Sequence, residues 1–200
     1  MYPRVIPMSK ESDIRPPYVR PAEGVAVVLR YKDNVAVVRH AENPDRNVHF
    51  GAYDLPRETR ERNNGYFEPL TTTLRRTLQE ELGITDEKRK ESLKTVGYAT
   101  MDCKRPDGKY IKAHIVVMNS SEPLSVLTDP AHVDTTEIIG TEEIPLFQAL
   151  TDPDAYWRPG PDGRDLIRAA LPNASFDLKP GILSEVHPPV YDEEILINHD

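Results

Sequence analysis

Two adjacent glutamates at the end of a leucine-rich segment are the residues best placed to do chemistry in this sequence. Glu80 and Glu81 follow Thr77 by three and four positions, so on a helix the three side chains share one arc. Two neighbouring carboxylates repel each other unless positive charge meets them. A hard divalent cation with oxygen ligands would supply that charge. An ion pair between Arg76 and Glu80, four residues apart, would also supply it, and the segment alone leaves both interpretations open.

The segment that carries these glutamates is predicted to be an amphipathic helix. Pro69 suits a first helical position, and Gly83 suits the left-handed position just beyond a helix end. Between them, leucines recur at every fourth residue and form one apolar stripe. The members of the stripe are Leu70, Leu74, Leu78 and Leu82. We therefore expect the stripe to pack on a core and the arc of Thr73, Thr77, Glu80 and Glu81 to border it.

The rest of the pattern predicts an α+β fold with a mixed sheet and helices packed on it. Two valine-rich runs predict a hairpin, and the Asp107-Gly108 pair predicts a second, longer one. The predicted strands cover residues 24–31, 35–39, 50–56, 92–103, 109–118 and 135–142. The predicted helices after the leucine-rich one cover 145–150 and 162–171, and residues 57–64, 85–91 and 119–134 are predicted to be loops or connections.

Prolines divide the chain into three parts. Most of the nineteen prolines lie near the two ends, where they favour extended segments rather than a core. We expect an extended arm over 1–23, a compact domain over 24–150, and a C-terminal helix and tail over 151–200 that pack on the domain or on a partner subunit. Arms of this kind can also hold two copies together, which predicts a homodimer.

Bulk composition restricts the class of protein. A net charge of −8 argues against a broad surface for a nucleic acid polymer, although a nucleotide could still bind through a metal. No apolar run is long enough to span a bilayer, and no secretory signal is recognisable. Cys103 is the only cysteine, so no disulfide can form within the chain. Proteins without disulfides are typical of the cytoplasm, and we expect this protein there.

The spacing around the helix resembles the signature of the Nudix hydrolase family. The matching residues are Glu68, Arg76, Leu78, Glu80, Glu81, Gly83 and Ile84. The segment Tyr53-Asp54-Leu55-Pro56 and the valine-rich hairpin before it resemble the family too, so the resemblance covers roughly residues 24–150. It implies a mixed sheet sandwiched between helices. The chain departs from the pattern at Thr77, where the family has a glutamate, at Arg62, where it has a glycine, and at Arg57-Glu58, where it has two glycines.

The resemblance also implies an activity and a set of residues. The activity is metal-dependent hydrolysis of the pyrophosphate bond in a nucleoside diphosphate linked to another moiety, a small-molecule substrate. Arg76, Glu80 and Glu81 would be catalytic, and Glu80, Glu81 and Glu137 would bind Mg²⁺ or Mn²⁺. Asp134, Glu122 and Glu142 are other candidate ligands, and Tyr53, His49 and Tyr98 are candidate substrate contacts. Because Thr77 replaces a carboxylate, the alternative is a catalytically impaired Nudix-fold module that binds a ligand or regulates a partner.

Overall fold

The computed structural model describes residues 22–46, 48–104, 108–158 and 162–170. The strands are β1 (Ala22–Tyr31), β2 (Asn34–His40), β3 (Tyr53–Asp54), β4 (Arg57–Thr59), β5 (Arg62–Asn63), β6 (Tyr66–Phe67), β7 (Leu93–Lys104), β8 (Tyr110–Ser120) and β9 (Ile138–Pro145). The α-helices are α1 (Leu70–Leu82), α2 (Asp86–Ser92), α3 (Leu124–Leu127), α4 (Leu146–Thr151) and α5 (Gly163–Ala170). Short 3₁₀ turns lie at Pro44–Arg46 and Pro130–His132.

Seven strands form one mixed sheet. Its main path runs β3-β2-β1-β8-β7, while β4 pairs with β1 and β9 pairs with β2. Strands β1 and β8 are parallel, and the other pairs in this sheet are antiparallel. The predicted α+β class with a mixed sheet is therefore confirmed, and the central strands are covered on both faces, as parallel pairing usually requires.

The two faces of the sheet pack against different helices. Successive side chains of a strand point to opposite faces, and in β1 the residues Val25 and Val27 belong to the core beneath α1. Ala26 and Val28 belong to a second core with Trp157 and the buried residues of α4 and α5. The sheet thus lies between helices, as the family resemblance implies.

Helix α1 has the predicted apolar face and the predicted C-terminal cap. All four leucines of the stripe are buried, and Pro69 occupies the N-cap, one position earlier than the first-turn position we expected. Gly83 has φ +66°, and the Ile84 N–H donates to the Leu78 carbonyl at 2.9 Å, which is a Schellman cap. The backbone N–H of Asp129 donates to the Gly83 carbonyl at 2.9 Å. The loop before β9 is thereby fixed on the end of α1.

Three predicted loops contain regular structure. Residues 57–64 hold β4, which pairs with the N-terminal part of β1, and β5, which pairs with β6. The connection after Gly83 holds α2, which buries no residue and so gives no hydrophobic period to detect. It is stabilised instead by acidic residues in its first turn and basic residues in its last, which suit the helix dipole. Residues 119–134 hold α3 and a 3₁₀ turn.

Parts of the predicted terminal segments can be compared with the structure. Helix α5 packs on the sheet through Leu166, Ile167 and Ala170. Strand β1 begins at Ala22, two residues before the predicted domain boundary. The remainder of the proline-rich arm, the tail beyond Ala170, and Asp107 of the predicted turn lie outside the described residues. No helix in the described part of the chain is long and apolar enough to cross a membrane.

The close approach at Gly83 predicts a large loss of stability for Gly83→Ala. A β-carbon there would collide with the Asp129 carbonyl oxygen, and the left-handed conformation alone costs an L-residue about 1–2 kcal/mol. Gly65→Ala is the matched control, because Gly65 has φ +82° but no heavy atom within 4 Å of the position that an added β-carbon would occupy. In urea unfolding, Gly83→Ala should lose clearly more free energy of unfolding than Gly65→Ala. Equal losses would contradict the proposed packing of the loop.

Candidate functional site

The last turn of α1 brings Glu81 into contact with strand β4. The Glu81 side chain is buried, with 7% of the residue exposed, and its Oε2 accepts a hydrogen bond from the Arg57 backbone N–H at 3.1 Å. Glu80, the next residue towards the N-terminus, is exposed, and its backbone carbonyl accepts from the Asp134 N–H at 2.7 Å. The two predicted glutamates therefore lie where α1, β4 and the loop before β9 meet.

A further glutamate, Glu58 in β4, joins them. Burial raises the pKa of Glu58, and the nearby carboxylates of Glu80 and Glu137 raise it further against the opposing charge of Arg76. Glu137 itself precedes β9, and its backbone carbonyl accepts from the Ala41 N–H at 2.8 Å. We call Glu58, Glu80, Glu81 and Glu137 the acidic cluster. Sequence reasoning missed Glu58, because its place beside α1 depends on the pairing of β4 with β1.

The electrostatic environment of Glu81 is unfavourable to its charged form. Burial is the largest cause that raises the pKa of Glu81 well above its usual value, and the negative charges of Asp54 and Glu58 add to it. The hydrogen bond from the Arg57 N–H and the charge of Arg57 act in the opposite direction. A carboxylate held in this way favours any additional positive charge that reaches it.

Asp54 lies near Glu81, and two arginines pair with the Asp54 carboxylate. Its side chain is 1% exposed, and its Oδ2 lies 2.6 Å from the Arg57 Nη2 and 3.5 Å from the Arg158 Nη1. The His40 Nε2 lies 3.4 Å from the same oxygen. The other oxygen, Oδ1, accepts a hydrogen bond from the Leu55 N–H at 2.9 Å. Arg57, which stands where the family has a glycine, thus supplies the nearest positive charge.

The hydroxyl groups of the two threonines in the predicted arc form hydrogen bonds elsewhere and do not point into the acidic cluster. Thr77 is fully buried, and its hydroxyl donates to the Thr73 carbonyl at 2.9 Å, a bond within the helix. The Thr73 hydroxyl donates to the Glu68 Oε1 at 2.9 Å. Of the four residues in the arc, the two threonines therefore stabilise the helix and its start, and only the two glutamates belong to the acidic cluster.

Arg76 ties α1 to the segment that precedes it. Its guanidinium lies 2.9 Å from Glu61 and 2.9 Å from Glu68, and it donates to the Thr59 carbonyl at 2.8 Å. Burial raises the pKa of the Glu68 carboxyl, but hydrogen bonds from the Glu61 N–H and the Thr73 hydroxyl, together with the charge and hydrogen bond of Arg76, lower it on balance. The ion-pair partners of Arg76 within the described ranges are these two glutamates and not Glu80, so the simpler surface-pair interpretation of Glu80 does not hold. These contacts hold the start of α1 against the segment between β4 and β6.

The three candidate substrate contacts lie in different surroundings. Tyr98 is 6% exposed, and its hydroxyl lies 2.5 Å from the His114 Nδ1, so its ring offers little surface for stacking on a base. Tyr53 is half-buried, and its hydroxyl accepts from the Arg39 Nη2 at 2.6 Å. His49 is exposed and makes an edge contact with Tyr156, with 4.9 Å between ring centroids. The structure does not gather these three side chains into one binding surface.

The acidic cluster has the donor chemistry of a site for a divalent cation. Within the residues that the structure describes, no three His, Cys, Asp or Glu side chains are already arranged to hold an ion together. Magnesium commonly needs only one or two protein carboxylates, with waters and substrate phosphates completing its shell. Glu58, Glu80 and Glu81 supply carboxylate oxygens, the type of ligand that such an ion takes from a protein. Among the other candidate ligands, Glu142 pairs with Arg39 at 2.5 Å, Asp134 accepts from the Thr136 hydroxyl at 2.6 Å, and Glu122 accepts from the Ser92 hydroxyl at 3.5 Å.

Comparison with known proteins identifies the fold. No family model matches the sequence, and no curated protein matches it. A NUDIX hydrolase from Nitrosomonas europaea superposes with a TM-score of 0.55 over 74% of this chain and 86% of its own, at 16% identity. The MutT protein from Methanosarcina mazei Go1 gives a TM-score of 0.48 over 72% of this chain and 88% of its own, at 21% identity. The first of these similarities shows that the chain has the Nudix fold, as the resemblance implies.

The raised pKa of Glu81 predicts how Glu81→Gln changes stability with pH in the absence of metal. Above the pKa of an unfolded glutamate, about 4.3, the unfolded wild-type chain loses this proton while the folded chain retains it. The wild type therefore loses stability as the pH rises from there to the folded pKa, and the glutamine variant does not. We expect Glu81→Gln to be the more stable protein at pH 7, with the difference vanishing near pH 4.

Urea unfolding in EDTA across this pH range measures the difference. The matched control is Glu87→Gln, which changes an exposed glutamate on α2 and should show no comparable gain. A Glu81→Gln variant that is less stable than the wild type at pH 7 would contradict the burial of an uncompensated carboxylate at this position.

Proposed function

We propose that this protein is a metal-dependent pyrophosphohydrolase that acts on a nucleoside diphosphate linked to another moiety. The observation that carries the proposal is the acidic cluster, in which Glu58 on β4 lies within electrostatic range of Glu80 and Glu81 on α1 and of Glu137 before β9, on a Nudix fold. Such a cluster is costly for a protein to hold without positive charge. A divalent ion together with a diphosphate would remove that cost and place the substrate at the same point.

In this proposal each part of the site has a distinct role. Glu80 and Glu81 would hold the ion from the helix, and Glu58 would hold it from β4 in place of the carboxylate that is missing at Thr77. A bound divalent ion would neutralise phosphate charge and lower the pKa of a bound water that attacks phosphorus. Arg76 contributes indirectly, because its bonds to Glu61, Glu68 and Thr59 hold the segment between β4 and α1 in place.

Removing one carboxylate of the acidic cluster should lower hydrolysis. Glu58→Gln, Glu80→Gln and Glu81→Gln keep the side-chain shape but weaken the metal site, so each should reduce kcat/KM by roughly 10- to 100-fold or more. The assay is turnover of a panel of nucleoside diphosphates linked to sugars, nucleosides or alkyl groups, with Mg²⁺ or Mn²⁺. EDTA should abolish turnover, and Glu87→Gln should leave it unchanged.

Two results would contradict the proposal in different ways. If Glu58→Gln or Glu81→Gln retains the activity of the wild type, the substituted residue does not belong to the metal site, but the proposed reaction is not contradicted. No turnover of any member of the panel, with either metal, would contradict the hydrolase itself.

One observation favours a second candidate function, a Nudix-fold module that binds a ligand without hydrolysing it efficiently. Thr77 directs its hydroxyl into α1, so the helix supplies fewer carboxylates than the family pattern. Arg57 also places a permanent positive charge beside Asp54 and Glu81, where it reduces the need for a metal. In this case the site would bind an anionic ligand and show little dependence on divalent ions.

Thr77→Glu separates the two functions. If Glu58 already completes the site, a glutamate at this fully buried position adds an unneeded charge, lowers the free energy of unfolding and gives no gain in kcat/KM. If the protein is an impaired module, the same substitution should raise hydrolysis strongly. Thr77→Gln introduces a side chain of the same size as glutamate but without its charge, so it controls for the effect of side-chain bulk on folding.

A further inference from the structure

A pocket adjoins the acidic cluster between the end of β2 and the segment that joins α4 to α5. It is small and open, with a cavity volume of about 30 Å³. The side chains that give it chemical character are those of His40, Glu42, Asn43, Thr136, Glu137 and Arg158. Glu137 belongs to both the pocket and the acidic cluster, so the pocket lies beside the cluster.

The backbone around Arg158 is fixed against the sheet. The Arg158 N–H donates to the Tyr53 carbonyl at 2.8 Å, and the Tyr53 N–H donates to the Tyr156 carbonyl at 2.8 Å. Between these bonds, Trp157 is buried in the core under α5, and its ring occupies the space that a β-carbon at Gly163 would need. Residues 156–158 therefore hold the Arg158 backbone in a fixed position against the sheet.

The guanidinium of Arg158 retains unused donors. Its Nη1 lies 3.4 Å from the His40 Nε2 and 3.5 Å from the Asp54 Oδ2, and both contacts are long for hydrogen bonds. Asp54 is much closer to Arg57, at 2.6 Å, so two guanidinium groups share one buried carboxylate. Among the described residues, Nε and Nη2 of Arg158 have no partner. An arginine offers five N–H donors in a fixed fork, and most of this fork is available to a ligand.

Size and charge restrict what the pocket can hold. A cavity of this size is far smaller than the roughly 300–1,000 Å³ of pockets that enclose a whole drug-sized ligand, so it can admit only one small group of a substrate whose remainder lies outside. The planar fork of an arginine matches two oxygens of a phosphate. The carboxylates of Glu42 and Glu137 would repel a phosphate, which places the phosphate on the Arg158 side and leaves the carboxylates to accept hydrogen bonds from hydroxyl groups.

We propose that Arg158 binds a phosphate group of the substrate in this pocket, next to the phosphorus at which the acidic cluster acts. The inference rests on the proposed function for the identity of the ligand, and it adds a residue from beyond the part of the chain that resembles the Nudix family. Residues 156–158 are thereby part of the binding site, and the burial of Trp157 in the core maintains the position of the guanidinium.

Calorimetric titration of the full chain with adenosine diphosphate, inorganic pyrophosphate and adenosine tests the inference, each in Mg²⁺ and in EDTA. Arg158→Met should weaken binding of the first two ligands roughly tenfold or more, and adenosine should not distinguish it from the wild type. Arg158→Lys keeps the charge but loses the fork, so its loss should be smaller. Arg168→Met, which removes an exposed guanidinium from α5, is the matched control and should bind like the wild type.

The outcomes separate this inference from the proposed function. Equal affinity of the wild type and Arg158→Met for both phosphate ligands would overturn the role of Arg158, even if hydrolysis is confirmed. Absence of binding by the wild type in both buffers would overturn it too. Binding that depends on Arg158 without turnover of any substrate would support the inference and contradict the hydrolase. The Tm of each variant, measured by thermal unfolding, shows whether a loss of affinity comes from a folding defect, and Arg158→Lys provides the milder substitution at the same position.

Discussion

The burial of Glu81 between α1 and β4 is the constraint on which the rest of the site depends. The leucine stripe fixes the rotation of α1 on the sheet, so Glu81 cannot turn towards solvent. Strand β4 is fixed by its pairing with β1, and the Arg57 N–H joins it to the Glu81 carboxylate. The fold therefore buries a carboxyl group whose ionised form is unfavourable, and a ligand that brings positive charge stabilises that ionised form.

Three of the departures from the family pattern, at Arg57, Glu58 and Thr77, lie near that buried carboxylate. Thr77 takes one negative charge out of the helix, while Arg57 and Glu58 replace two glycines and bring a cation and a carboxylate from β4. Because Glu58 lies on β4 beside α1, the third carboxylate has moved from the helix to the strand in the proposed mechanism. Arg57 meanwhile neutralises Asp54, which keeps the surroundings of Glu81 from becoming still more acidic.

Local patterns in the sequence predict α1, its glycine cap, the valine-rich hairpin and the two adjacent glutamates, because each depends on residues close in the chain. Glu58 and Arg158 could not be predicted in this way. Their positions arise from the pairing of β4 with β1 and of residues 156–158 with β3, which connect distant segments. Helix α2 was missed for a different reason, since a helix that buries nothing carries no hydrophobic period.

The most direct test of the central claim is a double-mutant cycle between Glu58 and Glu81 in the metal-dependent hydrolysis assay. If both carboxylates serve one ion, the variant with glutamine at both positions should have about the same kcat/KM as the worse single variant, because residues that act as a unit are strongly non-additive. Losses that multiply independently, or a single variant that loses nothing, would contradict a shared site.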